Sequence, residues 1–299
     1  MPSNGFEYQI DALLPPEMAA KAQNIGAHKA ALGFYTMFAL AVLAGAFIAL
    51  GAAFSTTAIA GASGVLPYGV TRVLFGLVFC LGLILVVVGG AELFTGNNLI
   101  VMAWASGHVS TVGLLRNWGI VYLGNFVGAL ATAAIIFLGR QYTFGAGSVG
   151  LTALNIAKTK VELDFVQAVA LGMLCNALVC LAIWLCYSAR STVDKILSIL
   201  FPITAFVAAG FEHSIANMYF VPMGLLIKDF APASFWTAIQ KTPADFAGLT
   251  WGSFLLKNLL PVTIGNIIGG ALMVGVVYWF VYLRHKRSPE SPFVPSGKD

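Results

Sequence analysis

The sequence is poor in charged residues, which make up only 9% of its 299 residues. In typical soluble domains about a quarter of the residues are charged. Hydrophobic residues, by contrast, make up 59% of the chain. A chain with so little charge cannot cover itself with an ordinary soluble surface. The composition therefore predicts an integral membrane protein.

The sequence also lacks the motifs of several other protein classes. Its four cysteines show no CxxC or Cys/His spacing, so they predict neither disulfides nor a metal site. No basic stripe indicates nucleic acid, although the net charge is +4. The first thirty residues carry charges where a cleavable signal peptide needs an apolar core. No nucleophile motif, metal cluster or cofactor loop is visible, so we expect neither an enzyme nor a cofactor.

Six apolar stretches are long enough to cross a bilayer, which takes about 20 residues. The second and fifth are too long for one straight crossing and contain glycine and polar residues, which predicts helices broken within the membrane. The six stretches cover approximately residues 34–55, 71–105, 118–138, 165–187, 196–227 and 254–283.

We therefore expect three regions along the chain. Residues 1–30 form an N-terminal segment with a short amphipathic helix at the membrane surface after Pro15-Pro16, residues 31–287 form the membrane domain, and residues 288–299 form a polar tail. An even number of spans places both termini on one side. Lysine and arginine are in modest excess on that side, which predicts cytoplasmic termini.

Two motifs occur twice, in the same order. GAELFTGN at residues 90–97 matches GFEHSIAN at residues 210–217, and NWGIVYLGNFVGAL from Asn117 matches NLLPVTIGNIIGGAL from Asn258. Each half then contains three spans, and an odd number reverses the direction of the chain, so the halves are predicted to form an inverted repeat. The glycine spacing in the second motif predicts close helix packing.

Together, GAELFTGN, GMLCNALVCLAIW, GFEHSIANM and the late GNIIGG resemble the formate/nitrite transporter family over essentially the whole chain. FEHSIANMYFVPMG and PVTIGNIIGGAL look most like the formate channels of that family. The resemblance implies an aquaporin-like, all-α fold of six transmembrane helices, assembled as a homopentamer in a bacterial inner membrane. It implies formate or a similar small anion as substrate. Nitrite and hydrosulfide remain alternatives, because GAELFTGN also resembles the nitrite-type and hydrosulfide-type members.

The resemblance also implies which residues form the pore. They are a central histidine, His213, a threonine on the loop that breaks the second helix, Thr95, and a vestibule lysine, Lys160. Asn176 and Asn266 match the pore-lining amides. The apolar constriction candidates are Phe79, Leu83, Leu93, Phe94, Val179 and Phe206.

Several of these residues also have a structural interpretation. His213 could simply pack against a helix, but an ionisable residue within a membrane span is costly and points to function. Thr95 could cap the resuming helix or bond to His213 or to substrate. Asn266 has the repeat partner Asn125 and either lines the pore or joins helices. Asn176 has no such partner and is expected in the pore.

The repeated carboxylates and amides have a predicted structural role. Glu92 and Glu212 are expected to accept backbone N–H groups where the helix breaks, or to pair with a cation such as Lys29. Asn97 and Asn217 are expected to satisfy the backbone groups that the break leaves free.

These residues suggest a mechanism. Lys160, otherwise a solvated loop charge, would concentrate anions, and His213 would lend formate a proton so that the neutral acid passes the apolar gates. Asn176 and Asn266 would stabilise the charged partner. A membrane enzyme with His213 and Glu212 as an acid–base pair is the alternative from another class, and it is disfavoured by the missing motifs. A purely structural scaffold would leave the two broken helices unexplained.

Overall fold

In the computed structural model, which describes residues 12–284, the chain is helical and that range contains no β-strand. The predicted tail, residues 288–299, lies outside the described residues. In chain order the helices are α1 (Pro15–Ala31), α2 (Phe34–Ala58), α3 (Tyr68–Gly89), α4 (Phe94–Asn97), α5 (Val101–Ala105), α6 (Thr111–Leu138), α7 (Ser148–Val161), α8 (Phe165–Ser188), α9 (Thr192–Ala208), α10 (Ser214–Phe230), α11 (Ala233–Ile239) and α12 (Ser253–Tyr282).

Within residues 12–284, five helices are long and apolar enough to cross a membrane, namely α2, α3, α6, α8 and α12. The predicted fifth span consists of α9 and α10, two helices of 17 residues separated by residues 209–213. The predicted second span consists of α3 and, after residues 90–93, the short helices α4 and α5. The structure therefore confirms an all-α membrane protein with breaks in both predicted places.

The surface of these helices is that of a membrane protein. Leu123, Val127 and Ile135 of α6 are exposed, whereas Asn117 and Asn125 of the same helix are fully buried. Large exposed apolar areas are rare on soluble monomers and mark contact with lipid or with other subunits. Polar side chains inside and apolar side chains outside thus match the composition.

Glycine allows two helix pairs to approach closely. A Cβ atom at Gly128 of α6 would overlap the carbonyl of Val42 in α2, and one at Gly269 of α12 would overlap the carbonyl of Met173 in α8. No other residue fits where two backbones meet in this way. The predicted close packing of the repeated glycine motif is confirmed in both halves.

The N-terminal helix α1 packs on the bundle. It buries Met18, Ala19, Ala22, Gly26 and Ala30, which lie on one face, against α5, α6, α8 and α12. Its apolar face thus meets protein, whereas the sequence predicted that this face would meet the membrane surface. The last turn of α1 carries Lys29.

Candidate functional site

Both breaks begin with a glycine in the left-handed conformation. Gly90 follows α3 with a φ of 77°, and Gly210 follows α9 with a φ of 80°. Glycine adopts this conformation without a steric penalty, so it turns the chain out of the helix. Two residues later each break places a buried glutamate, Glu92 or Glu212.

One asparagine holds the backbone of each break. Asn266 of α12 donates to the carbonyls of Gly172 and Glu212, both at 2.9 Å, and its Oδ1 accepts the Ser214 N–H at 2.9 Å. The side-chain nitrogen and the side-chain oxygen of Asn266 both form hydrogen bonds with backbone groups, so Asn266 stabilises the structure of the break. These contacts favour the second of its two predicted roles.

Asn125 makes the same three bonds in the first half. It donates to the carbonyls of Ala41 at 2.7 Å and Glu92 at 2.9 Å, and its Oδ1 accepts the Phe94 N–H at 2.9 Å. Buried backbone groups must be paired, and here a side chain replaces the interrupted helix.

The carboxylate of Glu212 is held by a lysine and two asparagines. Lys160 Nζ lies 2.9 Å from Glu212 Oε1, and Asn217 Nδ2 donates to Glu212 Oε2 at 2.7 Å. Asn217 Nδ2 also donates to Asn258 Oδ1 at 2.8 Å, and Asn258 Nδ2 donates to the Lys160 carbonyl at 2.8 Å. We call these four residues the Glu212 cluster.

The Glu92 cluster has the same composition and pattern. Lys29 Nζ lies 3.0 Å from Glu92 Oε1, and Asn97 Nδ2 donates to Glu92 Oε2 at 2.7 Å and to Asn117 Oδ1 at 3.0 Å. Asn117 Nδ2 donates to the Lys29 carbonyl at 3.1 Å. Each cluster has one bond that the other lacks, since Lys29 Nζ also donates to Asn97 Oδ1 at 2.9 Å, whereas Asn258 Nδ2 also donates to Glu212 Oε2 at 3.3 Å.

These clusters correct two sequence-based expectations. The side-chain amides of Asn97 and Asn217 bond to other side chains and leave the freed backbone to Asn125 and Asn266. Lys160 is an ion-pair partner within the protein, with 14% of its side chain exposed, and so differs from a free vestibule charge.

His213 and Thr95 connect the two breaks, and Thr95 lies within the short helix α4 and not on the preceding loop where the sequence placed it. Thr95 Oγ1 and His213 Nε2 are 3.0 Å apart, and both residues are buried. His213 Nδ1 accepts the Ala216 N–H at 3.1 Å and caps α10. A backbone N–H can only donate, so Nδ1 holds a lone pair and the proton of the neutral ring is on Nε2. The ring therefore donates to Thr95 Oγ1, which leaves the Thr95 hydroxyl hydrogen free to bind an acceptor.

Asn176 joins the two halves behind this pair. Its Nδ2 donates to Asn98 Oδ1 at 2.8 Å and to the Asn266 carbonyl at 2.7 Å. Asn98 in turn donates to the Phe94 carbonyl at 3.2 Å. Asn98, Asn117 and Asn258 were not identified as site residues from the sequence. Asn117 and Asn258 are the first residues of the second repeated motif, and this repetition could have identified them.

Cavities lie beside both breaks. The Lys29 cavity, of about 260 Å³, is lined by Lys29, Glu92 and Leu93 among others. The Lys160 cavity, of about 720 Å³, is lined by residues that include Lys160, Glu212, His213, Phe79 and Phe206.

The constriction candidates fall into different places. Phe206 stacks over the His213 ring with centroids 5.9 Å apart, and it meets Phe79 edge-on at 5.9 Å. The Phe94 ring packs instead against Trp118 and Tyr122 of α6. Leu83 and Val179 are buried among other apolar side chains, and Leu93 lines the Lys29 cavity.

Comparison with known proteins agrees with this geometry. The model of the formate/nitrite transporter family matches residues 16–280. The formate channel FocA of Escherichia coli K12 is 48% identical over 275 residues, covering 92% of this chain and 96% of the relative. FocA of Haemophilus influenzae is 42% identical, covering 95% of this chain and 100% of the relative.

Solved structures give the same result. A structure described as a pentameric formate channel with formate bound has a TM-score of 0.80 and 47% identity, covering 84% of this chain and 98% of that one. A second, described as an FNT family ion channel, has a TM-score of 0.74 and 27% identity, covering 89% and 98% of the two chains. The chain belongs to the formate/nitrite transporter family.

Proposed function

We propose that this chain is a formate channel. It is similar over nearly its whole length to proteins described as formate channels, and one similar structure is described as pentameric with formate bound. We therefore infer a homopentamer with one pore per protomer. The observation that carries the proposal is the Thr95–His213 bond, which joins two helix breaks that lie beside separate cavities.

The proposed architecture is aquaporin-like, with six spans in two inverted three-helix repeats. The matched bonds of the Glu92 and Glu212 clusters support it, since equivalent residues in both halves make equivalent contacts. We place the protein in the inner membrane with both termini in the cytoplasm. The N-terminal segment, residues 1–30, contributes Lys29 to the first cluster.

In this proposal His213 relays a proton to formate. A bare carboxylate is costly to move through a dry constriction, and neutral formic acid much less so. The stacked Phe206 ring supplies the apolar wall, and the Thr95 hydroxyl hydrogen is available to a formate oxygen. A charged His213 needs its second proton on Nδ1, which displaces the Ala216 N–H. The ring must therefore loosen its helix cap in each transfer.

The proton balance of this relay is closed. His213 takes a proton from water on Nδ1, and the charged ring gives its Nε2 proton to formate. The ring then takes up a second proton at Nε2 and returns the Nδ1 proton to water, which restores the starting tautomer. Formic acid passes the Phe79 and Phe206 rings and releases its proton to water on the other side, so one proton crosses with each formate. No net reaction takes place.

Uptake of labelled formate, nitrite and hydrosulfide into proteoliposomes at several pH values tests the function. We expect formate to move fastest, with uptake rising as the pH falls. Faster nitrite or hydrosulfide uptake would reassign the substrate, and uptake equal to empty liposomes for all three would refute the proposal. Native mass spectrometry tests the pentamer.

A further inference from the structure

The Lys160 cavity carries an arginine that the proposed mechanism does not use. The charged residues that line this cavity are Arg72, Lys160 and Glu212. The Lys160 ammonium is matched by Glu212 at 2.9 Å. Arg72 forms no ion pair with a carboxylate of the described residues. The remaining positive charge of the cavity lining is therefore on Arg72.

The Arg72 guanidinium is fixed at the end of α9. Its Nε donates to the Ala208 carbonyl at 3.1 Å, and its Nη2 donates to the Val207 carbonyl. The group also lies 5.5 Å from the centre of the Phe75 ring. Nη2 is 3.5 Å from the point where a side chain on Gly210 would begin. Arg72 thus stands where the chain leaves α9 towards His213.

This position matters because the C-terminal end of a helix carries a partial negative charge of about half a unit. Unopposed, the last carbonyls of α9 would repel an anion that approaches His213. The Arg72 guanidinium bonds to two of them and reverses the local sign of the potential. The N-terminal end of α10, which begins at Ser214 on the other side of the break, adds positive potential.

Arg72 also has donors to spare. A guanidinium group carries five N–H donors, and the two carbonyl bonds use two of them. The planar fork of the remaining donors suits an anion with two oxygen atoms, such as a small carboxylate.

We propose that Arg72 is the anion-capture residue of the Lys160 cavity and binds a small monovalent anion before it reaches Phe79, Phe206 and His213. The proposal rests on the proposed transport function. It gives Arg72 the concentrating role that the sequence suggested for Lys160, whose charge instead holds Glu212.

Formate uptake into proteoliposomes of one defined orientation tests this proposal. The variants are Arg72→Gln, Arg72→Lys and, as a matched control, Arg140→Gln, which removes an exposed arginine that does not line the cavity. With the Lys160 cavity facing the added formate, we expect Arg72→Gln to raise the half-saturating concentration about tenfold with maximal uptake retained. The shift should shrink in 1 M inert salt, where the screening length falls to about 3 Å.

Arg72→Lys keeps the charge and should preserve most of the capture. A half-saturating concentration in Arg72→Gln equal to that in Arg140→Gln would overturn the proposal. So would equal, salt-independent defects in Arg72→Lys and Arg72→Gln, because Arg72 would then act only as a helix cap.

A measurement without transport separates this proposal from the proposed function. Crystals of the wild-type protein soaked in bromide should show an anomalous peak in contact with the Arg72 guanidinium, and crystals of Arg72→Lys a weaker one. Absence of a peak in the wild type overturns anion capture even if formate is transported. A wild type with this peak that moves no formate supports capture and refutes only the channel function.

Discussion

The two helix breaks share one framework and differ at its centre. Each has a glycine that turns the chain, a Lys–Glu–Asn–Asn cluster, and an asparagine that bonds to the buried backbone that the break leaves unpaired. At the central positions, however, Leu93 stands where the other half has His213, and Thr95 stands where it has Ile215. The residues common to both halves build the break, and those unique to one half form the polar pair.

The two helices that follow the breaks show the consequence. After His213, whose ring caps the first turn, α10 continues for 17 residues. After Leu93, which offers no cap, α4 has four residues and gives way to a tighter turn. Asn98 bonds back to the Phe94 carbonyl there, and such bonds compete with regular helix. Asn98, at the start of this tighter turn, accepts a hydrogen bond from Asn176 at 2.8 Å.

The largest effect should come from the Glu212 cluster. Glu212→Gln leaves Lys160 charged with 14% of its side chain exposed, and an unpaired buried charge costs about 3–5 kcal/mol. Glu92→Gln should cost less, because 27% of the Lys29 side chain is exposed. Thermal unfolding of the purified protein measures both.

The double variant Glu212→Gln/Lys160→Met is the control, since it removes both charges. It should recover at least half of the lost stability. A double variant as unstable as the single one would show that the carboxylate matters for a reason other than its cation.

The next largest loss of stability should be equal for equivalent changes in the two halves. Asn266→Leu and Asn125→Leu each leave two carbonyls and one N–H without their partner, which should cost about 2–3 kcal/mol. Unfolding midpoints should fall by similar amounts. A loss confined to one variant would contradict equivalent roles for the two asparagines.

Asn176 should have a smaller effect on stability and a clear one on uptake. Asn176→Ala removes the bonds to Asn98 and to the Asn266 carbonyl, at a cost of about 1–2 kcal/mol. We expect slower formate uptake, because the Asn98–Asn176 contact joins the chain next to α4, which carries Thr95, to α8. Asn155→Ala, at an exposed position lining the Lys160 cavity, should leave uptake unchanged. Equal uptake in Asn176→Ala and Asn155→Ala would refute a role of the Asn98–Asn176 contact in formate uptake.

The smallest effect should separate two predicted constriction residues. Phe94→Leu loses ring contacts with Trp118 and Tyr122, costing about 1 kcal/mol, and should leave the pH dependence of formate uptake as in the wild type. Phe206→Leu removes the ring stacked on His213 and should change the pH dependence of formate uptake. If only Phe94→Leu changed the pH dependence of uptake, the constriction would have to be assigned to Phe94, which packs against α6, and not to Phe206.

The sequence predicted the framework better than its contacts. The repeated Gly-x-Glu and Gly-Asn motifs located both breaks and the glycine packing, because these features need particular residue types at fixed spacing. The ion pair between Lys160 and Glu212 joins residues 52 positions apart, which no local pattern reveals. Asn98 was not predicted as a site residue, because it lies just after the repeated motif and its partner Asn176 is on another helix.

The central claim is that His213 carries the proton chemistry that Leu93, at the equivalent position, cannot. The most direct measurement is formate uptake with simultaneous pH recording in proteoliposomes of wild type, His213→Asn and His213→Phe. Asparagine keeps an acceptor for the Ala216 N–H and phenylalanine removes it, but neither side chain titrates. We predict that both assembled variants lose proton-linked uptake, with greater loss of stability in His213→Phe. Wild-type pH dependence in an intact His213→Asn channel would contradict the relay and leave His213 a helix cap in a passive pore.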